Sequence, residues 1–160
     1  MPREHGAWMM LYAPLATGLL VYRVEPPVAA LLIVVVSCVF FGQNALGLRL
    51  RGRGGPTNDR WLAGFAVAGV AAATGLLLGL GLWRLLPLAG PAALLFVWQA
   101  WQRRATRRQI DHSTGNEVAT AAVMALGASA AYLAAGHRWM PAIGLPWAAF
   151  ALYFSGSVFY

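Results

Sequence analysis

The chain has no lysine, a single cysteine and only five acidic residues among 160, and each shortage removes a class of protein. With 11% charged residues against 59% hydrophobic ones and a mean hydropathy of +0.60, it has too few polar side chains to coat a water-soluble globule. One cysteine excludes an intrachain disulfide and a structural zinc site of several thiolates. Cys38 lies inside an apolar run, where a thiol packs as a small hydrophobe. Without lysine, all twelve positive charges are arginines, and the formal net charge is +7. Such a balance suits a nucleic-acid binder, but these arginines gather in short links between apolar runs, as juxtamembrane charge does, so no nucleic-acid partner is expected.

What the chain has in quantity is apolar sequence. A hydrocarbon core about 30 Å thick takes roughly 20 helical residues. Charged or turn-forming links divide the chain into six pieces near that length: 7–22, 27–48, 61–82, 85–101, 118–135 and 142–160. The expected fold is all-α, a polytopic helical membrane bundle of about six transmembrane helices forming one domain over 1–160. The first run is followed by Tyr22-Arg23-Val24-Glu25-Pro26-Pro27, which lacks the small-residue cleavage pattern of a signal peptide, so it reads as a retained helix. Pro87 and Pro91 point to a kink, tilt or partial re-entry in the fourth segment. Small residues within the runs serve close helix packing, and Gly75-Leu-Leu-Leu-Gly79 has that spacing.

The arginines orient the bundle. Arg3 precedes the first helix; Arg49, Arg51, Arg53 and Arg60 fall between the second and third; Arg103, Arg104, Arg107 and Arg108 fall between the fourth and fifth. Six spans put all nine on one side and leave Arg23, Arg84 and Arg138 on the other. The positive-inside rule then places both termini in the cytoplasm, with a lipid bilayer as the surroundings. Trp8, Tyr22, Trp61, Trp83, Trp101 and Trp139 mark segment boundaries, where amphipathic rings sit at headgroup level, and Trp98 joins the same belt.

Polar groups in apolar spans are costly, so each is a candidate for function or for a buried contact. On the cytoplasmic half these are His5, Gln43, Asn44 and Gln99, at similar depth. Trp8 stands beside His5, and the two share a reading as interface anchors or as part of a ligand site. The link 109–117 adds Asp111, His112, Asn116 and Glu117 on the same side. Thr114-Gly-Asn-Glu117 also fits a helix capping box. Thr57 or Asn58 is expected to cap the third helix, with Asp59 in its first turn. The candidate ligand-binding set is therefore His5, Trp8, Gln43, Asn44, Asp111, Asn116 and Glu117. Arg49, Arg51, Arg53, Arg103, Arg104, Arg107 and Arg108 form a candidate lipid or phosphate contact set, since guanidinium groups pair with phosphate bidentately. No catalytic residue, metal or cofactor is assigned.

Two stretches carry a resemblance. Arg3-Glu-His-Gly-Ala-Trp-Met-Met-Leu, followed by Pro14 and Gly18, resembles the opening QHGAWAMLxxPxxxG of YwiC-like bacterial membrane proteins. Phe154-Ser-Gly-Ser-Val-Phe-Tyr160 resembles that family's FxGSxFYVK stretch. The resemblance implies a multispanning inner-membrane protein without an established activity, one that supports a complex with a membrane-protein partner or handles a small lipid-soluble ligand. Family members generally continue past the closing tyrosine, so a truncated or short variant is expected here. A fainter likeness is to the UbiA prenyltransferases, whose Asp-rich loops hold magnesium and an isoprenyl diphosphate. The stretch from Gln43 through Arg53 takes the place of their first motif but lacks its spaced aspartates. A prenyltransferase acting on a lipid diphosphate is thus the alternative reading. A small transporter is the third, because prolines permit broken helices.

Overall fold

Prolines and glycines set the helix boundaries in the computed structural model, which describes residues 4–50, 52, 54–105, 114–137 and 143–158. All regular structure among these residues is helical. Helix α1 (Glu4–Val21) ends where Arg23 takes a left-handed φ of 51° and the Val24 N–H reaches back to the Leu19 carbonyl at 3.1 Å. Pro26 and Pro27 then open α2 (Pro26–Leu50), in a first turn that needs no N–H from them. Gly52, with φ 68°, closes α2.

Helix α3 (Pro56–Thr74) starts on Gly55 and Pro56 and runs on through a π-turn, Gly75–Gly79. Gly81 at φ 64° and a 3-10 turn (Trp83–Leu85) reverse the chain into α4 (Leu86–Ala105). Helices α5 (Thr114–Met124) and α6 (Leu126–Ala134) form one rod, irregular at Ala125, whose N–H still bonds the Ala121 carbonyl at 3.0 Å. Helix α7 spans Gly144–Val158. The six expected segments thus correspond to α1, α2, α3 with its π-turn, α4, the α5–α6 rod and α7. The third begins five residues earlier than expected, because Pro56 initiates helix through Thr57-Asn-Asp-Arg60.

That early start corrects the expected cap. Gly55 is the N-cap, no side chain caps the helix, and Asn58 instead donates from Nδ2 to the Ala45 carbonyl at 2.9 Å, tying α3 to α2. The Thr114 and Glu117 side chains of the expected capping box lie outside the described residues, as does Trp139.

The principal pairings are α2 on α3, α1 on α6 and α5 on α7; α4 touches α2 and α5 more lightly. Small residues decide the first two. A Cβ on Gly18 would lie 2.8 Å from the Ala131 Cβ and 3.1 Å from the Ala128 carbonyl oxygen; one on Gly127 would lie 3.2 Å from the Leu15 Cβ. A Cβ on Gly69 would meet that of Cys38 at 3.1 Å, so the lone cysteine serves packing. The close approach expected at Gly75 and Gly79 occurs instead at Gly18 and Gly127: Gly75 meets only a leucine methyl at 3.5 Å, and Gly79 faces open space. Helix α7 is fastened by polar groups, with the Ser129 hydroxyl donating to the Ile143 carbonyl at 3.0 Å and Trp147 Nε1 to the Ala122 carbonyl at 2.8 Å.

A modest core of Leu15, Val28, Leu32, Leu76, Leu82 and Ala134 sits toward the end where α1 turns into α2. The outward surface is also apolar: Leu20, Val67, Leu94, Leu145 and Leu152 are 70–78% exposed. Two segments, Pro26–Leu50 and Pro56–Gly79, are long and apolar enough to cross a membrane, and only 17% and 11% of their most apolar stretches is buried. A core helix of a soluble protein is mostly buried, whereas this surface suits a hydrocarbon solvent.

The α1–α6 seam predicts an asymmetry between two glycines. Gly18→Val should destabilise the fold by about 1–3 kcal/mol through overpacking, while Gly64→Ala, with no neighbour within 4 Å, should be neutral or slightly stabilising. Thermal unfolding of the detergent-solubilised protein checks both.

Candidate functional site

At the end where α1 begins, α2 finishes and α3 begins, aromatic rings accumulate. Trp8 and Tyr12, four residues apart on α1, stack with centroids 5.7 Å apart. Trp61 and Phe65 repeat that arrangement on α3 at 5.8 Å. The neighbouring Phe40 and Phe41 of α2 meet edge to face and diverge. Phe41 reaches Trp8 at 5.2 Å on one side and Phe65 at 5.4 Å on the other, and Phe40 reaches Trp8 at 5.9 Å. A continuous array therefore runs Tyr12–Trp8–Phe41–Phe65–Trp61 across three helices, with Trp8 41% and Trp61 61% exposed.

The array occupies a gap. Helices α1 and α2 are not among the closely packed backbone pairs, and at this end ring contacts together with a 2.7 Å hydrogen bond between the Tyr12 and Ser37 hydroxyls join them. Each ring pair adds about 0.5–1.5 kcal/mol beyond its buried area. The nearby Arg49–Asp59 ion pair, 3.4 Å long with both side chains about half exposed, adds little by comparison. Among the described residues, the rings and the Tyr12–Ser37 bond are what join α1 to α2 at this end.

The family model for YwiC-like protein matches residues 1–132, from the N-terminus to Tyr132 in α6. The chain belongs to the YwiC-like family. No curated protein and no solved structure matches it. The matched stretch contains the whole ring array.

In this YwiC-like protein the Glu4-His-Gly-Ala-Trp8 opening forms the first turns of α1 and delivers Trp8 to the rings of α2. Trp8 is thus a bridge between helices as well as a boundary residue. Gln43 is half-buried, three residues beyond Phe40, and Asn44 is exposed beside it. His5 lies three residues before Trp8 on α1, at the same end, although its side chain is outside the described residues. The structure therefore gathers the α1 and α2 candidates Trp8, Gln43 and Asn44 at one end. Arg49, expected as a phosphate contact, faces Asp59.

Asp111, Arg51, Arg53, Arg107 and Arg108 lie outside the described residues, as do the side chains of Asn116, Glu117, Gln99, Arg103 and Arg104. Among the described residues no group of three or more His, Cys, Asp or Glu is placed to hold a metal ion.

Sequence reasoning missed Phe40, Phe41 and Phe65, although two of the ring pairs, Trp8/Tyr12 and Trp61/Phe65, have the i,i+4 spacing that puts side chains on one helix face. It also missed a second cluster at the opposite end. There His137 stacks on Tyr132 at 4.6 Å, Tyr22 meets Tyr132 edge-on at 5.2 Å, and Arg84 Nη1 donates to the Gly136 carbonyl at 2.9 Å. These contacts fasten the end of α1 to α6, and the end of α6 to the α3–α4 turn.

The Tyr12–Ser37 bond is a polar link across the gap, and a double-mutant cycle measures it. Tyr12→Phe and Ser37→Ala should each lower the thermal midpoint, with a coupling of about 0.5–1.5 kcal/mol between them.

Proposed function

We propose that this YwiC-like protein is a multi-pass protein of the bacterial cytoplasmic membrane, with both termini cytoplasmic, that binds a small lipid-soluble ligand between α1 and α2 at their ring-lined end. The observation that carries the reading is the bridged gap. Where two helices are joined by rotatable aromatic side chains, an apolar or planar group can displace or stack on those rings without separating packed backbones. The candidate polar residues at this end are Gln43 and Asn44 on α2, with His5 on the α1 turn before Trp8. Imidazole and carboxamide groups both donate and accept hydrogen bonds.

The orientation is supported by charge. Arg49 and Arg60 belong to the helix ends that carry the ring array, and α4 brings Arg103 and Arg104 near its C-terminus. Arg23 and Arg84 belong to the opposite ends. The positive-inside rule assigns the array to the cytoplasmic side. The prenyltransferase reading gains no comparable support: its magnesium needs converging carboxylates, and among the described residues Asp59 is turned to Arg49 and no group of three or more His, Cys, Asp or Glu is placed to hold a metal.

Mass spectrometry of the molecules that copurify with the native-membrane protein tests the proposal. Wild type should retain one specific small molecule, reduced several-fold in Trp8→Ala and in Gln43→Ala. Bulk phospholipid alone, in equal amount in all three samples, would remove the ligand-binding reading.

A further inference from the structure

The outward face of α3 combines features that, apart from the Trp61 ring at the end of the array, the ring array does not use. Its inner face is taken by Phe65, Gly69 and Ala72, against Phe41 and Cys38 of α2 or in the buried interior. On the opposite face, Arg60, Gly64, Val67 and Ala71 follow at spacings of four, three and four residues, so they line up along the helix, and all four are exposed. Val70 flanks the row at 67% exposure, and Trp61 stands beside Arg60 at its head. Asp59, the one acidic neighbour in this turn, is engaged by Arg49 at 3.4 Å, and Arg60 has no ion-pair partner among the described residues. A guanidinium with no ion-pair partner among the described residues therefore crowns an exposed apolar helix face, with an exposed indole at the same level.

We propose that this face docks an anionic phospholipid, with its phosphate on the Arg60 guanidinium, its acyl chains along Val67, Val70 and Ala71, and the Trp61 ring at headgroup depth. Guanidinium and phosphate pair through two parallel, charge-assisted hydrogen bonds, which an ammonium cannot reproduce. Charge complementarity selects this occupant. A second copy of the chain, in the same membrane orientation and related by a two-fold axis at this face, would set Arg60 against Arg60. A zwitterionic lipid brings its own cation to the same place. An anionic phospholipid supplies the missing countercharge and covers the apolar row. The proposal rests on the chain lying in a bilayer and is independent of any ligand at the ring array.

Native mass spectrometry of the full chain in detergent, with equimolar phosphatidylglycerol and phosphatidylcholine added, tests it on wild type, Arg60→Gln, Arg60→Lys and Arg23→Gln. Wild type should retain phosphatidylglycerol preferentially. Arg60→Gln should lower that preference about fivefold, Arg60→Lys should keep part of it, and Arg23→Gln, an equal charge loss at an exposed site on the opposite end, should leave it unchanged. An equal fall in Arg23→Gln would mean that net charge alone attracts the lipid, and the proposal would fail. It would also fail if wild type showed no preference, or if Arg60→Gln dissociated a dimer while bound lipid stayed constant, since the face would then be a subunit interface. Retention of neither lipid by any variant would remove the bilayer reading and the proposal with it, whatever the ring array binds.

Discussion

The close approach of α1 to α6 is the constraint from which the rest of the arrangement follows. Gly18 admits the Ala128 backbone and the Ala131 methyl to a distance no Cβ would tolerate, and Gly127 admits Leu15 in return. Lipid tails are as apolar as leucine, so helices in a bilayer gain from this intimate van der Waals contact more than from hydrophobic exclusion. Drawing α1 onto α6 leaves it short of α2, to which it is connected by only a four-residue turn. Large side chains must then span the difference. Leu15, Val28 and Leu32 close it near the turn, and Trp8, Phe40, Phe41 and Tyr12 close it at the far end.

The consequence is an uneven bundle. Its α1–α6, α2–α3 and α5–α7 pairs meet closely, while its ring-bridged seam depends on side chains that rotate and stay partly exposed. Elements with few buried apolar contacts open at lower free energy than those around them. That places the adaptable part of the molecule beside its polar candidates, Gln43 and Asn44, rather than in the leucine core. The surface chemistry agrees with a lipid environment on the other sides, since the exposed residues of α3 and α7 are chiefly alanine, valine, leucine and aromatic.

Segment count was legible in the chain because charge and turn chemistry punctuate it at Arg23 to Pro27 and around Gly52, although α3 starts at Pro56, five residues before the expected boundary. Partner choice was not. Small residues occur throughout the runs; spacing singled out Gly75 and Gly79, and only the three-dimensional path shows that Gly18 and Gly127 are the ones that meet another backbone. Asn58 illustrates the same limit. Local chemistry recommends it as a cap, but the helix starts at Pro56, which puts Asn58 inside the first turn with its Nδ2 donating to a carbonyl on α2. The candidate site was half legible: Trp8 stood out as a tryptophan at a threshold, while Phe40, Phe41 and Phe65 read as ordinary apolar residues until α2 set them between α1 and α3.

The most direct test of the account is the distance between α1 and α2 at the ring-bridged end, measured by pulsed electron paramagnetic resonance with spin labels at Met9→Cys and Val39→Cys in a Cys38→Ala background. Both labelled positions are exposed. The account predicts one narrow distance distribution that broadens when Trp8→Ala is added, while a Val39/Val67 pair across α2 and α3 stays narrow. A Met9/Val39 distribution that remains equally narrow without the Trp8 ring would contradict it, because the seam would then be held by something other than the aromatic array.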